Sequence, residues 1–485
     1  MEINAMPSIS STLRRLSLAM LTLFLVFQAQ ADNSYEYRFE FEGIADTDVL
    51  LAYHYGDKQY IVDTFHLDSK GAMVASADSL LPHGMYMVVF PSLSNQYFEF
   101  MVAEPEFSVT GDVNDLVNTL NFKGSEENKV FYDDLRYLNG QRSKLEPLQL
   151  KLTTLESGSE EFESTQAEID AVDEAVNDWR DKLFEKHADK LYVKMLWALQ
   201  EVPIPDTPTK ADGSKDEMFP YRFAREHAFD RMDWQHEALL RTPAVYNLIY
   251  RYLNNYTYRQ PDSIIVAVDN ILEKAKANEE MFKYVLITLL NDYGNSELMG
   301  MDKVYVHIAL NYYNQGQATW LDEAARYRIV RRAQDMSPTL IDSVAPNFRL
   351  KDLNGNARSL HDFKSKYTVL FFWDPDCSHC REETPVLKEM MDSLEAIYDI
   401  KVVAVNTQLE IDKWLKFIDR HQLGNWYHLA DFDQSSDVKS LYDIRATPKL
   451  FLLDSRKRII AKRLAAHQLG DFLDFYDKNK ADKEQ

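Results

Sequence analysis

Apolar and polar side chains alternate with a period of two in the first part of the chain, up to about residue 123. The segment YEYRFEF at 35–41 is the clearest case, and such alternation is typical of a strand with one buried face. Four further apolar runs follow between turn residues, at 49–53, 60–62, 85–90 and 97–102. Their close spacing is typical of antiparallel sheets. We therefore predict an antiparallel β-sandwich-like domain over residues 32–124.

The period changes to three and four after Gly124-Ser125. Leu, Tyr, Met and Ala recur at helical spacing as far as about residue 334, which predicts a central all-α domain over residues 125–338. Three prolines at 203–218 predict a loop inside it. Thr242-Pro243 predicts the start of a later helix, with the threonine as cap and the proline in the first turn.

Two features of the helical region leave alternatives open. Residues 156–181 carry ten acidic side chains, which favours the solvated face of an amphipathic helix over a cation or client site. Tyrosines recur at helical spacing near residues 246–258, a pattern more typical of a helix core than of a ligand platform. Neither feature predicts chemistry.

A third pattern begins near residue 343. The run YTVLFFW at 367–373 predicts a strand buried on both faces. Helical and apolar segments then alternate, with further strands at 400–405, 449–454 and 459–461 and helices at 413–420 and 469–480. This α/β order predicts a separate C-terminal domain over residues 339–485. The fold class is thus a multi-domain α+β protein.

The first 31 residues are predicted to be a cleaved signal peptide. Arg14 and Arg15 precede a twelve-residue apolar stretch, and Ala29-Gln30-Ala31 provides small residues for cleavage after Ala31. The stretch is shorter than the roughly 20 residues that span a bilayer. An uncleaved anchor and a buried helix are the alternatives. We expect an exported, periplasmic protein without a stable membrane span.

Charge and cysteine content restrict the function. The formal net charge of the 485 residues is −23 and no basic stripe is present, so nucleic acid is not expected as a partner. The chain has two cysteines, Cys377 and Cys380. A disulfide between them would close almost no loop and add little stability. Their presence in an exported chain therefore favours redox chemistry.

The segment FWDPDCSHC at 372–380 resembles the active-site segment of thioredoxin-like proteins. Three further matches resemble the exported TlpA/ResA branch of that family: APNF at 345–348 followed by LNG at 353–355, CREETP at 380–385, and ATP at 446–448. The resemblance covers about 140 residues. It implies a C-terminal α/β thioredoxin fold that exchanges disulfides with client proteins.

The two cysteines have different expected roles. Cys377 is predicted at a helix N-terminus, where free N–H groups and the helix dipole stabilise a thiolate. It is therefore the expected nucleophile, which forms a mixed disulfide with a client. Cys380, one turn further along, is expected to resolve that disulfide.

Neighbouring residues are expected to tune the reduction potential in opposite directions. An imidazolium at His379 would favour the thiolate, whereas the carboxylate of Asp376 would disfavour it. A solvent-facing His379 without a redox role is the alternative. Trp373, directly before the active-site turn, is a third candidate for tuning. The sequence alone does not fix the potential.

The resemblance also implies roles for Glu383, Pro448 and Thr447. In the ResA-type branch a glutamate at the position of Glu383 is linked to proton handling, and the alternative is a surface carboxylate in the first turns of the helix. Pro448 matches the cis-proline that faces the cysteines in this fold. The backbone of Thr447 would then pair with an extended client strand.

We expect a thiol-disulfide oxidoreductase, with reduction favoured over oxidation or isomerisation. It needs no cofactor, and its partners are clients with thiols or disulfides and an unidentified redox protein. A zinc site is disfavoured because Cys377, Cys380 and His379 give at most three clustered ligands. Peroxidase chemistry lacks a matching motif. The alternative function is an exported binding protein in which the thioredoxin-like part is ancillary.

Overall fold

The structure is a computed structural model that describes residues 34–432 and 434–483. The predicted signal peptide therefore lies outside the described residues. The chain divides into two compact units, one ending at Tyr256 and the other beginning at Thr257. Each is described by itself below.

Two four-stranded sheets form the first part of the first unit. Their strand orders are β4-β1-β7-β8 and β3-β2-β5-β6. Aromatic side chains join them: the ring of Phe39 lies 5.8 Å from that of Phe100, and the ring of Phe41 lies 5.2 Å from that of Phe90. The strands are β1 Tyr35–Glu42, β2 Thr47–Tyr55, β3 Lys58–Leu67, β4 Ala72–Ala77, β5 Gly84–Phe90, β6 Gln96–Val102, β7 Glu106–Asp112 and β8 Asn121–Lys123.

The sandwich-like prediction holds, but one strand pair differs from the antiparallel expectation. Strands β1 and β7 run parallel, with Glu36 opposite Glu106 and Phe39 opposite Val109. Hairpin turns force neighbouring strands to be antiparallel, whereas strands far apart in sequence are free to pair either way. Because β2 to β6 intervene between β1 and β7, no turn fixes their direction.

Helices complete the first unit. Ser125 caps the long helix α2 by accepting a hydrogen bond from the N–H of Asn128, which explains the change of pattern after Gly124-Ser125. The acidic segment forms most of α3, which is largely exposed. The helices are α1 Leu116–Thr119, α2 Glu126–Leu152, α3 Glu160–Lys186, α4 Leu191–Leu199, α5 Phe219–Glu226 and α6 Ala244–Asn255. Residues 203–218 form the predicted loop, and α6 begins one residue later than Thr242-Pro243 predicts.

The second unit begins with four helices, α7 Pro261–Ala275, α8 Glu279–Gly294, α9 Asp302–Ile308 and α10 Glu323–Met336. A π-helical turn at Ala309–Tyr313 continues α9. The predicted boundary between the helical and C-terminal domains, at residues 338/339, lies inside this unit and stays a prediction. Among residues 34–432 and 434–483, no helix is long and apolar enough to cross a membrane.

A seven-stranded sheet with the order β10-β9-β13-β12-β11-β14-β15 forms the rest of the second unit. Strands β11, β12 and β13 are parallel and the others antiparallel to their neighbours. Every residue of β11 is buried, as its continuous apolar sequence predicts. The strands are β9 Arg349–Asp352, β10 Ala357–Ser359, β11 Tyr367–Trp373, β12 Ile400–Asn406, β13 Tyr427–Ala430, β14 Lys449–Leu453 and β15 Ile459–Lys462. The helices are α11 Ser378–Leu394, α12 Ile411–Arg420, α13 Val438–Leu441 and α14 Leu469–Lys483.

Candidate active site

The central strand of this sheet places Cys377 at the start of a helix. Strand β11 ends at Trp373, a short turn follows, and Cys377 is the N-cap residue of α11. The turn is closed by Asp374, whose carboxylate accepts a hydrogen bond from the N–H of Asp376. The N-terminus of α11 therefore directs its free N–H groups towards the Cys377 sulfur.

The surroundings of Cys377 favour its thiolate. Its Sγ accepts a hydrogen bond from the N–H of Cys380 at 3.3 Å and, in the thiol form, donates one to the carbonyl oxygen of Thr447 at 3.2 Å. Burial alone would raise the pKa of this thiol. Hydrogen bonds that involve Cys380, Thr447 and the backbone of His379 outweigh burial and lower the pKa below its ordinary value. Cys377 is also partly accessible to solvent, as a nucleophile must be.

Cys380 has the opposite character. It is fully buried in the core formed between the sheet and α11. Burial raises its pKa well above the ordinary value, and the interaction with Cys377 raises it further. The two thiols are not joined in a disulfide. The pair thus consists of one accessible, acidic thiol and one buried thiol that holds its proton.

The carboxylate of Asp376 is neutralised by a partner from another element. Lys413, on α12, donates to it at 2.8 Å, and Gln408 donates at 2.5 Å. The hydrogen bond from Lys413 holds the pKa of Asp376 below its usual range. The negative charge beside Cys377 is therefore balanced by a cation that the motif does not contain.

His379 and Trp373 occupy contrasting positions. His379 is exposed on the first turn of α11. The Trp373 side chain is buried in the same core as Cys380 and packs on Phe417, with 4.6 Å between ring centroids. Trp373 thus packs in the core beneath the thiols, whereas the side chain of His379 is exposed to solvent.

Glu383 points away from the accessible face of α11. It is half-buried, and its Oε1 accepts a hydrogen bond from the N–H of Ala466 at 2.6 Å. The residue lines a cavity of about 250 Å³ together with Phe371 and Pro448. Three carboxylates line this cavity, those of Glu383, Asp302 and Asp443.

The loop before β14 faces Cys377. The peptide bond between Thr447 and Pro448 is cis, in agreement with the expected cis-proline. Within residues 34–432 and 434–483, the Thr447 carbonyl accepts a hydrogen bond from Cys377, and the Thr447 N–H has no partner. This backbone is therefore available to an extended peptide.

Sequence reasoning missed several charged residues near the site. Lys449 follows the cis-proline, and its Nζ donates to the carbonyls of Tyr442 and Asp443 at 2.9 and 2.7 Å. Burial lowers its pKa to about 8. Lys462 and Asp302 form a buried ion pair beside the same cavity. Lys449 and Lys462 are charged residues in the otherwise apolar strands β14 and β15. This exception is the sequence signal that could have identified them.

The described residues contain no group of three or more His, Cys, Asp or Glu side chains that could hold a metal ion. What the geometry provides is one thiolate for attack, one thiol for resolution and a carboxylate behind them.

Comparison with known proteins agrees with this geometry. The profile of the AhpC/TSA family matches residues 341–462, and that of a domain of unknown function, DUF5106, matches residues 164–338. The thiol-disulfide oxidoreductase ResA of Geobacillus thermodenitrificans is 26% identical over 140 residues, which are 28% of this chain and 76% of that relative. The chain contains a thioredoxin-like domain. Its C-terminal domain is of the thiol-disulfide oxidoreductase type.

Two further relatives of the thioredoxin-like domain have similar descriptions. The thioredoxin-like protein YneN of Bacillus subtilis is 33% identical over 115 residues, which are 23% of this chain and 64% of that relative. A solved domain of a possible thiol-disulfide isomerase from Cytophaga hutchinsonii is 42% identical; the match covers 30% of this chain and 98% of that one, with a TM-score of 0.29.

Proposed function

We propose that the protein reduces disulfides in client proteins through Cys377 and Cys380. The observation that carries this proposal is the asymmetry of the pair: Cys377 is accessible with a lowered pKa, and Cys380 is buried with a raised one. Thiol-disulfide exchange requires a thiolate for attack and a second thiol that waits for the mixed disulfide. The accessible Cys377 and the buried Cys380 fit these two roles.

The proposed reaction balances in two steps. The Cys377 thiolate attacks a client disulfide and forms a mixed disulfide, and the first client sulfur leaves as a thiolate. Cys380 then loses its proton and attacks Cys377 Sγ, which releases the second client thiolate. The client gains two electrons and leaves as two thiolates; these take up the proton that Cys380 released and one proton from solvent, and the protein is left with a Cys377–Cys380 disulfide. A reduced thiol protein must restore the pair.

We assign Glu383 as the group that receives the proton from Cys380. It lies one helical turn beyond Cys380 on α11 and faces the cavity behind the pair. Thr447 is assigned to bind the client backbone, and Pro448 shapes that loop. His379 is placed to act on the client side, and Asp376 acts together with Lys413.

The direction of the reaction depends on the reduction potential. A stabilised Cys377 thiolate makes the pair more oxidising, with about 30 mV for each ~1.4 kcal/mol. We favour reduction because of the similarity to the ResA branch. Equilibration with glutathione tests this: a value of about −270 mV supports reduction, and one of about −120 mV supports oxidation.

A trapping experiment tests the exchange itself. In Cys380→Ala the mixed disulfide cannot be resolved, so we expect stable adducts between Cys377 and client proteins on non-reducing gels. Cys377→Ala is the matched control and should form none. If Cys380→Ala forms no adduct and the parent does not reduce insulin, the proposal is wrong and a binding role is the better explanation.

We also propose that the protein acts in the periplasm after cleavage behind Ala31. The basic pair, apolar stretch and Ala-Gln-Ala sequence at the N-terminus support this. The mass of the mature chain tests it, since an intact N-terminus would contradict cleavage.

A further inference from the structure

A buried ion pair joins the helices of the second unit to the thioredoxin-like sheet. Lys462, on β15, pairs with Asp302, at the start of α9, and its Nζ also donates to the carbonyl of Thr339 at 2.6 Å. The two residues are 5% and 4% exposed. Burial lowers the pKa of Lys462, and the charge of Asp302 opposes that shift. Because the pair is buried, its charges are screened less than charges on the protein surface.

The pair lies on the wall of a cavity beside α11. That cavity, of about 250 Å³, is also lined by Glu383 and Pro448. Its charged lining residues are Asp302, Glu383, Asp443, Lys449, Lys462 and Arg463. Lys449 is bound by the carbonyls of Tyr442 and Asp443, and Arg463 donates to the carbonyl of Ser296.

Asp302 has a carboxylate oxygen to spare. Its Oδ2 binds Lys462, whereas its buried Oδ1 has no hydrogen-bond partner among the residues that the structure describes. A buried polar atom without a partner is costly unless another interaction compensates for it. Asp302, which belongs to the helical segment, therefore contributes a negative charge to the cavity wall.

We propose that Asp302 is a positioning residue of the redox site: by holding Lys462 against the cavity that Glu383 faces, it sets the charge under which the two cysteines exchange protons. The inference rests on the proposed function. Charges on the wall of one cavity lie close together, and the burial of Asp302 and Lys462 weakens the screening of their charges by water. The helical segment is thus a part of the redox site.

The test is the pH dependence of Cys377 alkylation by iodoacetamide in the reduced full chain. Asp302→Asn leaves the Lys462 cation without a counter-charge, so thiolates become easier to form and the midpoint should fall by about half a pH unit or more. Lys462→Met leaves the Asp302 anion, and the midpoint should rise by a similar amount. The double variant should return close to the parent.

Asp262→Asn provides the matched control. It breaks the ion pair between Asp262 and Lys303, which lies on the exposed surface of the same helical segment, and its midpoint should equal that of the parent. The other charged and titratable groups near the thiols and on the cavity wall are unchanged in all variants; they include Asp376, His379, Arg381, Glu383, Lys413, Asp443, Lys449 and Arg463. Opposite shifts from the two single variants are not expected if the pair only stabilises the fold.

Unchanged midpoints, or shifts in the same direction, would overturn the inference. If Lys462→Met does not fold, Lys462→Gln, which keeps a hydrogen-bond donor, takes its place with the same expected rise. Insulin reduction and adduct formation by the parent are measured in parallel. If they occur while all variants titrate alike, the proposed function stands and the role of Asp302 fails. Opposite shifts without any exchange would support the role of Asp302 and contradict the proposed function.

Discussion

At the scale of single residues, the charge beside Cys377 is shared between two elements. Asp376 belongs to the active-site turn, and Lys413 reaches it from α12. Because both side chains are exposed, their attraction is weakened by water and salt. Its effect on the thiol is nevertheless direct, since Asp376 precedes Cys377 in the chain.

Lys413→Met should raise the pKa of Cys377. The substitution leaves the Asp376 carboxylate uncompensated, which disfavours the neighbouring thiolate. We expect a rise of a few tenths of a pH unit and slower alkylation at pH 7, as is typical of an exposed charge. The rate of iodoacetamide alkylation against pH measures it.

Lys416→Met is the control for this change. Lys416 is an exposed lysine on the same helix, and no described contact joins it to Asp376. A rise of equal size in both variants would show that the net charge of α12 acts, and not the pair.

The contacts of individual side chains were also the feature that the sequence predicted least well. The spacing of Cys377 and Cys380 identified both as candidates, because one turn and one helix fix it, and the family resemblance added Glu383 and Pro448. Lys413 and Asp302 are 33 and more residues away in the chain, so only the fold brings them to the site. Their roles could not be predicted from local pattern.

At the scale of elements, β11 holds the site in place. All seven of its residues are buried, and it pairs with β12 on one side and β14 on the other. Four residues separate the end of this strand from the first residue of α11. Loosening the strand should therefore affect both stability and the position of Cys377.

Phe371→Ala should destabilise the protein by about 3–5 kcal/mol, since a buried aromatic side chain leaves a cavity when it is truncated. Phe371 is fully buried. Phe475→Ala, at a side chain that is 67% exposed, should change stability by no more than ~0.5 kcal/mol. Urea unfolding of the reduced proteins measures both; similar losses would contradict the assignment of Phe371 to the core.

Helices and strands with a regular hydrophobic pattern were predictable from the sequence. Short strands that are defined by their pairing with other strands were not. The alternation at 35–41 and the apolar run of β11 each gave the correct element, because side-chain burial imposes the period. Strands β8, β9 and β10 have three or four residues, too few to show a period. The parallel direction of β7 relative to β1 depends on which strands pair in the fold, and the local sequence does not show this.

At the scale of the whole molecule, the second unit contains more than the thioredoxin-like sheet. Helices α7 to α10 belong to it, and Met336 on α10 lines the cavity together with Phe451 and Leu464. The sequence suggested a boundary at 338/339 because the pattern changes there. A change of pattern marks a change of element type and need not coincide with an edge of a core.

A fragment of residues 339–485 should therefore be less stable than one of residues 257–485. The shorter fragment loses Asp302 and the apolar cover that Met336 provides. We expect a difference of about 2 kcal/mol or more, given that burying one large apolar side chain contributes about 1.5–3 kcal/mol. Urea unfolding of the two fragments compares them, and equal midpoints would favour 338/339 as a true domain boundary.

The burial of Cys380 also has a consequence for chemical damage. An oxidant reaches only Cys377, and its first product, a sulfenic acid, stands three residues from a thiol that can condense with it. That condensation yields the same disulfide as turnover with a client. In an oxidising compartment, Cys380 thus protects Cys377 from irreversible oxidation to sulfinic and sulfonic acids. The disulfide that forms instead can be reduced again by a reduced thiol protein.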